Sequence, residues 1–110
     1  VAGLVKPRTV KNGNIELVYG VVTELEGKNL AGVTWLVSHV PDGTTLPGAG
    51  EAPHALSGLE PGSTSIYNVG KLVTATLASP TTKEKWRVFV RAADSPEIVW
   101  INCGTYTIVP

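Results

Sequence analysis

Two apolar runs close the chain, on either side of a short Ala93-Asp94-Ser95-Pro96 break. In residues 85–92, Trp86, Val88, Val90 and Ala92 alternate with Lys85, Arg87 and Arg91. A period of two marks a strand with one face in the core and one in water. Residues 98–103 do not alternate. Ile98, Val99, Trp100 and Ile101 are apolar in succession, the pattern of a strand covered on both faces. Together the two runs read as a hairpin near the middle of an all-β protein. Gly104 interrupts the second run. A bulge there turns Tyr106 and Ile108 to the face opposite the one that simple alternation gives.

The rest of the chain is read against that hairpin. Residues 4–11 form a weak strand, which Pro7 places at a sheet edge or limits to partial pairing. Asn12-Gly13 predicts a hairpin turn. It leads into a strand over residues 15–25, with Ile15, Leu17, Tyr19 and Val21 on one face and Glu16 and Glu24 opposite, long enough either to run past the end of its partner or to carry a bulge near Gly20. Glu26-Gly27-Lys28-Asn29 is a polar turn. Residues 32–40 follow as a strand with Val33, Trp35 and Val37 on one face and Trp35 as a core anchor. Residues 41–68 hold four prolines and five glycines and read as one long loop or arm. Only residues 55–59 look able to pair, as a short edge strand, and Leu46-Pro47-Gly48-Ala49-Gly50 reads as exposed. Residues 69–77 resume alternation, with Val69, Lys71, Val73, Ala75 and Leu77 against Leu72, Thr74 and Thr76.

Within the long loop, Leu56-Ser57-Gly58-Leu59-Glu60-Pro61-Gly62-Ser63 resembles the corner motif of fibronectin type III domains, where leucine, proline and glycine precede the tyrosine-bearing penultimate strand. Ser65 stands where that tyrosine falls, Tyr67 is two places on, and three strands follow rather than two. The resemblance is one of turn chemistry. It implies a sandwich without implying membership of the family. Short strands separated by turn signals, with no helical period, predict an all-β fold: an antiparallel two-sheet β-sandwich, immunoglobulin-like or jelly-roll-like, of about six or seven strands. Residues 1–110 are expected to make a single domain.

The charges balance, with nine Lys and Arg against nine Asp and Glu. Non-specific nucleic-acid binding draws on an excess of cations, so that class is disfavoured. One route to it stays open along the basic strand: Lys83, Lys85, Arg87 and Arg91, interleaved with Phe89. The ordinary reading of those residues is a solvated strand face that resists edge aggregation. No run approaches the roughly 20 apolar residues of a membrane helix, so no membrane partner is expected. Cys103 is the only cysteine, so no disulfide within the chain is available. The absence of methionine suggests a processed chain or one cut from a longer product.

Side chains suited to chemistry are few and scattered. Cys103 lies in an apolar strand and is expected to be an inert core thiol. Ser57 lacks the Gly-x-Ser-x-Gly elbow of a nucleophile. His39, Asp42, Glu51 and His54 would serve a metal only if the long loop gathered them, since no two share a ligand spacing on one element. The loop glycines lack the helix a phosphate cradle needs. No catalytic residue, cofactor or metal is therefore expected. Trp100 is the one tryptophan open to a carbohydrate-platform reading, with burial the favoured alternative.

What remains is a non-enzymatic structural or assembly subunit: a virion capsid, cement or tail component, or an extracellular filament subunit. Its expected partners are copies of itself or another structural protein, through Phe89, Ile98, Trp100, Tyr106 and Ile108. The expected setting is extracellular or virion. The competing expectation is a carbohydrate- or protein-binding module of a larger secreted polypeptide.

Overall fold

A computed structural model describes residues 8–23, 29–45, 49–94 and 97–110. Among these residues seven strands run in order: β1 (Thr9–Lys11), β2 (Ile15–Thr23), β3 (Thr34–Pro41), β4 (Gly58–Leu59), β5 (Ile66–Thr74), β6 (Glu84–Asp94) and β7 (Glu97–Val109). A 3-10 turn at Leu30–Gly32 precedes β3, with the Asn29 side chain accepting from the Ala31 N–H at 2.8 Å. The fold is all-β, in two sheets. One has four strands in the order β1-β7-β6-β3, and the other has three in the order β2-β5-β4. The terminal hairpin fills the two inner positions of the larger sheet, as its apolar content requires.

Buried residues of both sheets form one hydrophobic cluster. Val37, Val88, Val90, Cys103, Tyr106 and Ile108 come from the larger sheet, and Val18, Val22 and Val69 from the smaller. Trp35 anchors it, stacked on Tyr67 with ring centroids 4.4 Å apart and planes 18° apart. Truncating Trp35 to alanine would cost about 3–5 kcal/mol on the scale of buried aromatics.

The expected bulge is present on β7. Arg87 pairs with Thr105 and Phe89 with Asn102, so Cys103 and Gly104 together face Val88. Gly104 takes φ 99°, and its N–H donates to the Asn102 side chain at 2.9 Å. The extra residue is why Cys103, Tyr106 and Ile108 are all buried, although 103 and 106 differ by an odd number.

Several expectations are corrected. The Asn12-Gly13 turn is a corner between sheets, not a hairpin: β1 pairs parallel with β7, whereas β2 pairs with β5. Gly13 supplies φ 91° there. Asn12 and Gly13 donate their N–H groups to the carbonyls of Val109 and Ala75, tying the corner to both sheets. The parallel pair also makes the larger sheet mixed rather than antiparallel throughout. Residues 4–7 of the expected first strand, and Glu24, lie outside the described residues.

β2 presents its other face to the core. Val18, Gly20 and Val22 are buried, while Ile15 is exposed and Leu17, Tyr19 and Val21 are half-buried. Its pairing with β5 is regular from Ile15 to Thr23, so there is no bulge at Gly20. β5 begins at Ile66, three residues before the expected start, but its inward set is the expected one.

The long loop is also more ordered than its composition suggests. Residues 46–48 lie outside the described residues. Beyond them, a Cβ on Gly50 would fall 2.6 Å from Leu36 Cβ, so the chain lies directly on β3. Glu51 and Val37 exchange both backbone hydrogen bonds, at 2.9 and 2.8 Å. Further on, His54 N–H donates to the Gly70 carbonyl, and Gly70 N–H donates to Ser57 Oγ. Gly58–Leu59 then pairs with β5 as the edge strand. Residues 49–59 therefore strap the β3 edge of one sheet to the β5 edge of the other.

Candidate functional site

Three places gather side chains capable of recognition: the outward face of each sheet, and a pocket lined by residues of both sheets.

On the larger sheet the β3–β6–β7 register sets out the outward face in rows. Thr34, Ala93 and Ile98 form one row, and Leu36, Arg91 and Trp100 the next. Ser38, Phe89 and Asn102 follow, then Val40, Arg87 and Thr105. The start of β7 is open to solvent: Ile98 is 56 % exposed, Val99 43 % and Trp100 36 %. The expectation that this run is covered on both faces is thus overturned. That expectation rests on apolarity alone: Ile98 and Trp100 lie on the outward face, away from the smaller sheet, and β7 packs mainly on β6 and little on β2. Phe89 is outward and half-buried. Tyr106 and Ile108 are each only 2 % exposed. The chain itself covers them, so they drop out of the outward surface, because the Gly104 bulge turns them inward.

The basic residues do not act as a block. Lys83 precedes β6 and is exposed, as is Lys85. Arg87 is drawn to Asp42, whose Oδ1 accepts from Nε at 3.1 Å and from a terminal nitrogen at 2.8 Å. That bond holds the Asp42 carboxyl below its ordinary range. Arg91 stands opposite Trp100. The strip is therefore less positive than the spacing of its residues implies.

The pocket, of about 290 Å³, is lined by His39, Lys71, Val73, Trp86, Tyr106 and Ile108, with further β5 residues. Trp86 and Tyr106 are cross-strand partners, and His39 lies opposite Val88 on the inward face of β3. His39 Nδ1 is 3.2 Å from the Tyr106 hydroxyl, and Nε2 is buried without a partner among the described residues. Burial, with the nearby Lys71 charge, holds the imidazole down to about 4, against the opposing pull of Glu51. Burial pushes the Tyr106 phenol up to about 12. Both are neutral at ordinary pH. Lys71 is ion-paired with Glu51, and that bond holds the Glu51 carboxyl low.

Of the four scattered metal-ligand candidates, His39 and Glu51 come near enough to feel each other's charge, but the Glu51 carboxylate is taken by Lys71. Asp42 goes to Arg87, and His54 closes a local turn, its Nδ1 accepting from the Leu56 N–H at 3.2 Å. Among the described residues no group of three or more His, Cys, Asp or Glu could hold a metal. Cys103 is buried, and that burial pushes its thiol up to about 12. The thiolate needed for attack is therefore scarce.

The smaller sheet holds what sequence reasoning missed. Its outward face carries Ile15, Leu17, Tyr19 and Val21 of β2, beside Leu72, Gly70 and Asn68 of β5. Ile15 is 66 % and Leu72 50 % exposed, and Leu56 on the strap is 71 % exposed. The same alternation that suggests a core face describes this surface equally well. The signal that separates them is Gly20 on the other side of β2, which marks close approach of another chain segment.

No family model matches the chain, and no curated protein or solved structure matches it. The functional reading rests on these surfaces.

Proposed function

We propose that the chain is a non-enzymatic assembly subunit, its two sheets packed as a sandwich, that associates through the outward face of its larger sheet. The observation that carries this is the exposure of Ile98, Val99 and Trp100 in succession at the start of β7, two of them on the same outward face as Phe89, Leu36 and Val40. Large apolar groups exposed side by side cost free energy in water and gain it back at an interface. Arg91, beside Trp100, suits the composition of interface centres, where aromatic residues and arginine are enriched. The single buried cluster shared by both sheets supports the sandwich arrangement. Copies of the chain are the partner we favour, in a virion or extracellular assembly where each copy covers the face of the next.

The test is charge insertion at positions already exposed. Ile98→Lys with Trp100→Lys leaves the buried cluster untouched, so circular dichroism and the thermal midpoint should stay near wild type. Sedimentation velocity should show the wild type associating and the double variant monomeric. A double variant that associates as the wild type does removes this face from the reading.

A further inference from the structure

The smaller sheet carries a cleft of about 310 Å³ lined by Tyr19, Val21, Leu56, Glu60 and Asn68. We infer that it is a binding site for a neutral saccharide, on the outward face of the smaller sheet rather than on the assembly face. Four features converge.

Tyr19 is fixed as a platform. It pairs across from Gly70, and a Cβ at Gly70 would lie 2.7–3.2 Å from one edge of the ring. The absence of that side chain is what lets the ring settle against β5. An aromatic ring with a polar tip, held by the sheet beneath it, suits the C–H face of a sugar ring. Next, the polar groups are oriented in advance. The Asn68 amide donates to Glu60 Oε1 at 2.7 Å. The amide is thereby set, with its oxygen and a second N–H left to a ligand, and the carboxylate retains further acceptor sites. Sugar hydroxyls both donate and accept, and this pair offers both. Third, the strap that forms the far wall is anchored to the sheet. Gly70 N–H donates to Ser57 Oγ at 2.7 Å and Gly58–Leu59 pairs with β5, which holds Leu56 at the rim. Fourth, Glu60 is the only charged residue among the described residues of the lining, so an anionic ligand is repelled. The volume is at the small end of ligand clefts, enough for one or two sugar units with the chain continuing along Leu17 and Leu72.

Trp100, the aromatic that the sequence singles out for a sugar, stands on the other sheet. The inference about Tyr19 is therefore independent of the assembly reading.

The experiment is an array of neutral oligosaccharides of glucose, galactose, mannose and N-acetylglucosamine, four to six units long, followed by titration of the retained ones against the amide NMR spectrum. Shifts should centre on residues 19, 21, 56, 60 and 68. Tyr19→Phe should keep affinity within about threefold, while Tyr19→Ser and Asn68→Ala should each lose about tenfold or more. Leu56→Ala, at an exposed position, tests the wall with no risk to folding and should weaken binding severalfold. Glu60→Gln should retain neutral sugars. The monomeric Ile98→Lys, Trp100→Lys protein should bind as the wild type does. Retention of no neutral saccharide overturns the inference. So does binding that Tyr19→Ser, Asn68→Ala and Leu56→Ala leave unchanged, a preference for cationic probes that Glu60→Gln abolishes, or a Tyr19 variant that alters association instead of sugar binding.

Discussion

Gly20 has no room for a side chain. A Cβ there would stand 2.9 Å from Cys103 Cβ and 3.0 Å from its sulfur. Cys103 is a buried residue of the opposite sheet, so the added methyl must push β2 away from β7. Gly20→Ala should destabilise the protein by about 1–3 kcal/mol, read as a lower urea midpoint. An unchanged midpoint would mean that the two strands separate freely.

His39 makes a second residue-scale prediction, through pH. Its imidazole is held at about 4, below the ordinary 6.5. As pH falls, the unfolded chain takes up this proton first, so the unfolded state gains. Stability from this source is intact above pH 6.5 and is lost progressively toward pH 4. The loss is on the order of 3 kcal/mol for a depression of this size. Urea midpoints from about pH 7 to 4 should fall steeply in the wild type and more gently in His39→Gln. Asp42 also favours the folded state only while ionised, but it does so in both proteins and cancels in the comparison, and Glu51 is held low chiefly by Lys71, which both proteins keep. Parallel pH curves would show that His39 is not the group responsible.

At the scale of single elements, β7 is decided by one inserted residue. Deleting Gly104 removes the extra residue and leaves plain alternation, with Cys103, Tyr106 and Ile108 still inward and Thr105 and Thr107 outward. The same side chains stay buried, so the deletion variant should remain folded by circular dichroism. Gly104→Ala keeps the register and pays only for φ 99°, about 1–3 kcal/mol. A deletion variant that unfolds would contradict the bulge.

This element also shows how much of the fold is legible in the sequence. Gly104 in an apolar run, together with the odd spacing from Cys103 to Tyr106, marks the bulge in the residues themselves. The alternation in β6 likewise identifies its inward face. β2 is legible as a strand but not as to which side is buried, because Val18 and Val22 are as apolar as Leu17 and Val21. Period alone cannot choose between two apolar faces; what lies across each one chooses. The strap is hidden for a different reason. Its pairing with Val37 and Gly70 uses mostly backbone groups, which leave no side-chain pattern. The Tyr19 cleft escapes sequence reasoning through both effects, since it needs the outward side of β2 and the strap as its wall.

At the scale of the whole molecule, the order of the sheets explains why two outward faces are available. Each sheet turns one face to the shared buried cluster and leaves the other outward, and Ile98 and Trp100 lie on the outward face of the larger sheet. Ile98 is 56 % and Trp100 36 % exposed there, and in the proposed assembly a neighbouring copy covers them. Light scattering of the purified wild-type chain over a hundredfold range of concentration tests this most directly. The account predicts a weight-average mass that rises above the 11.6 kDa monomer as concentration increases. A mass that stays at the monomer value across the whole range would contradict it.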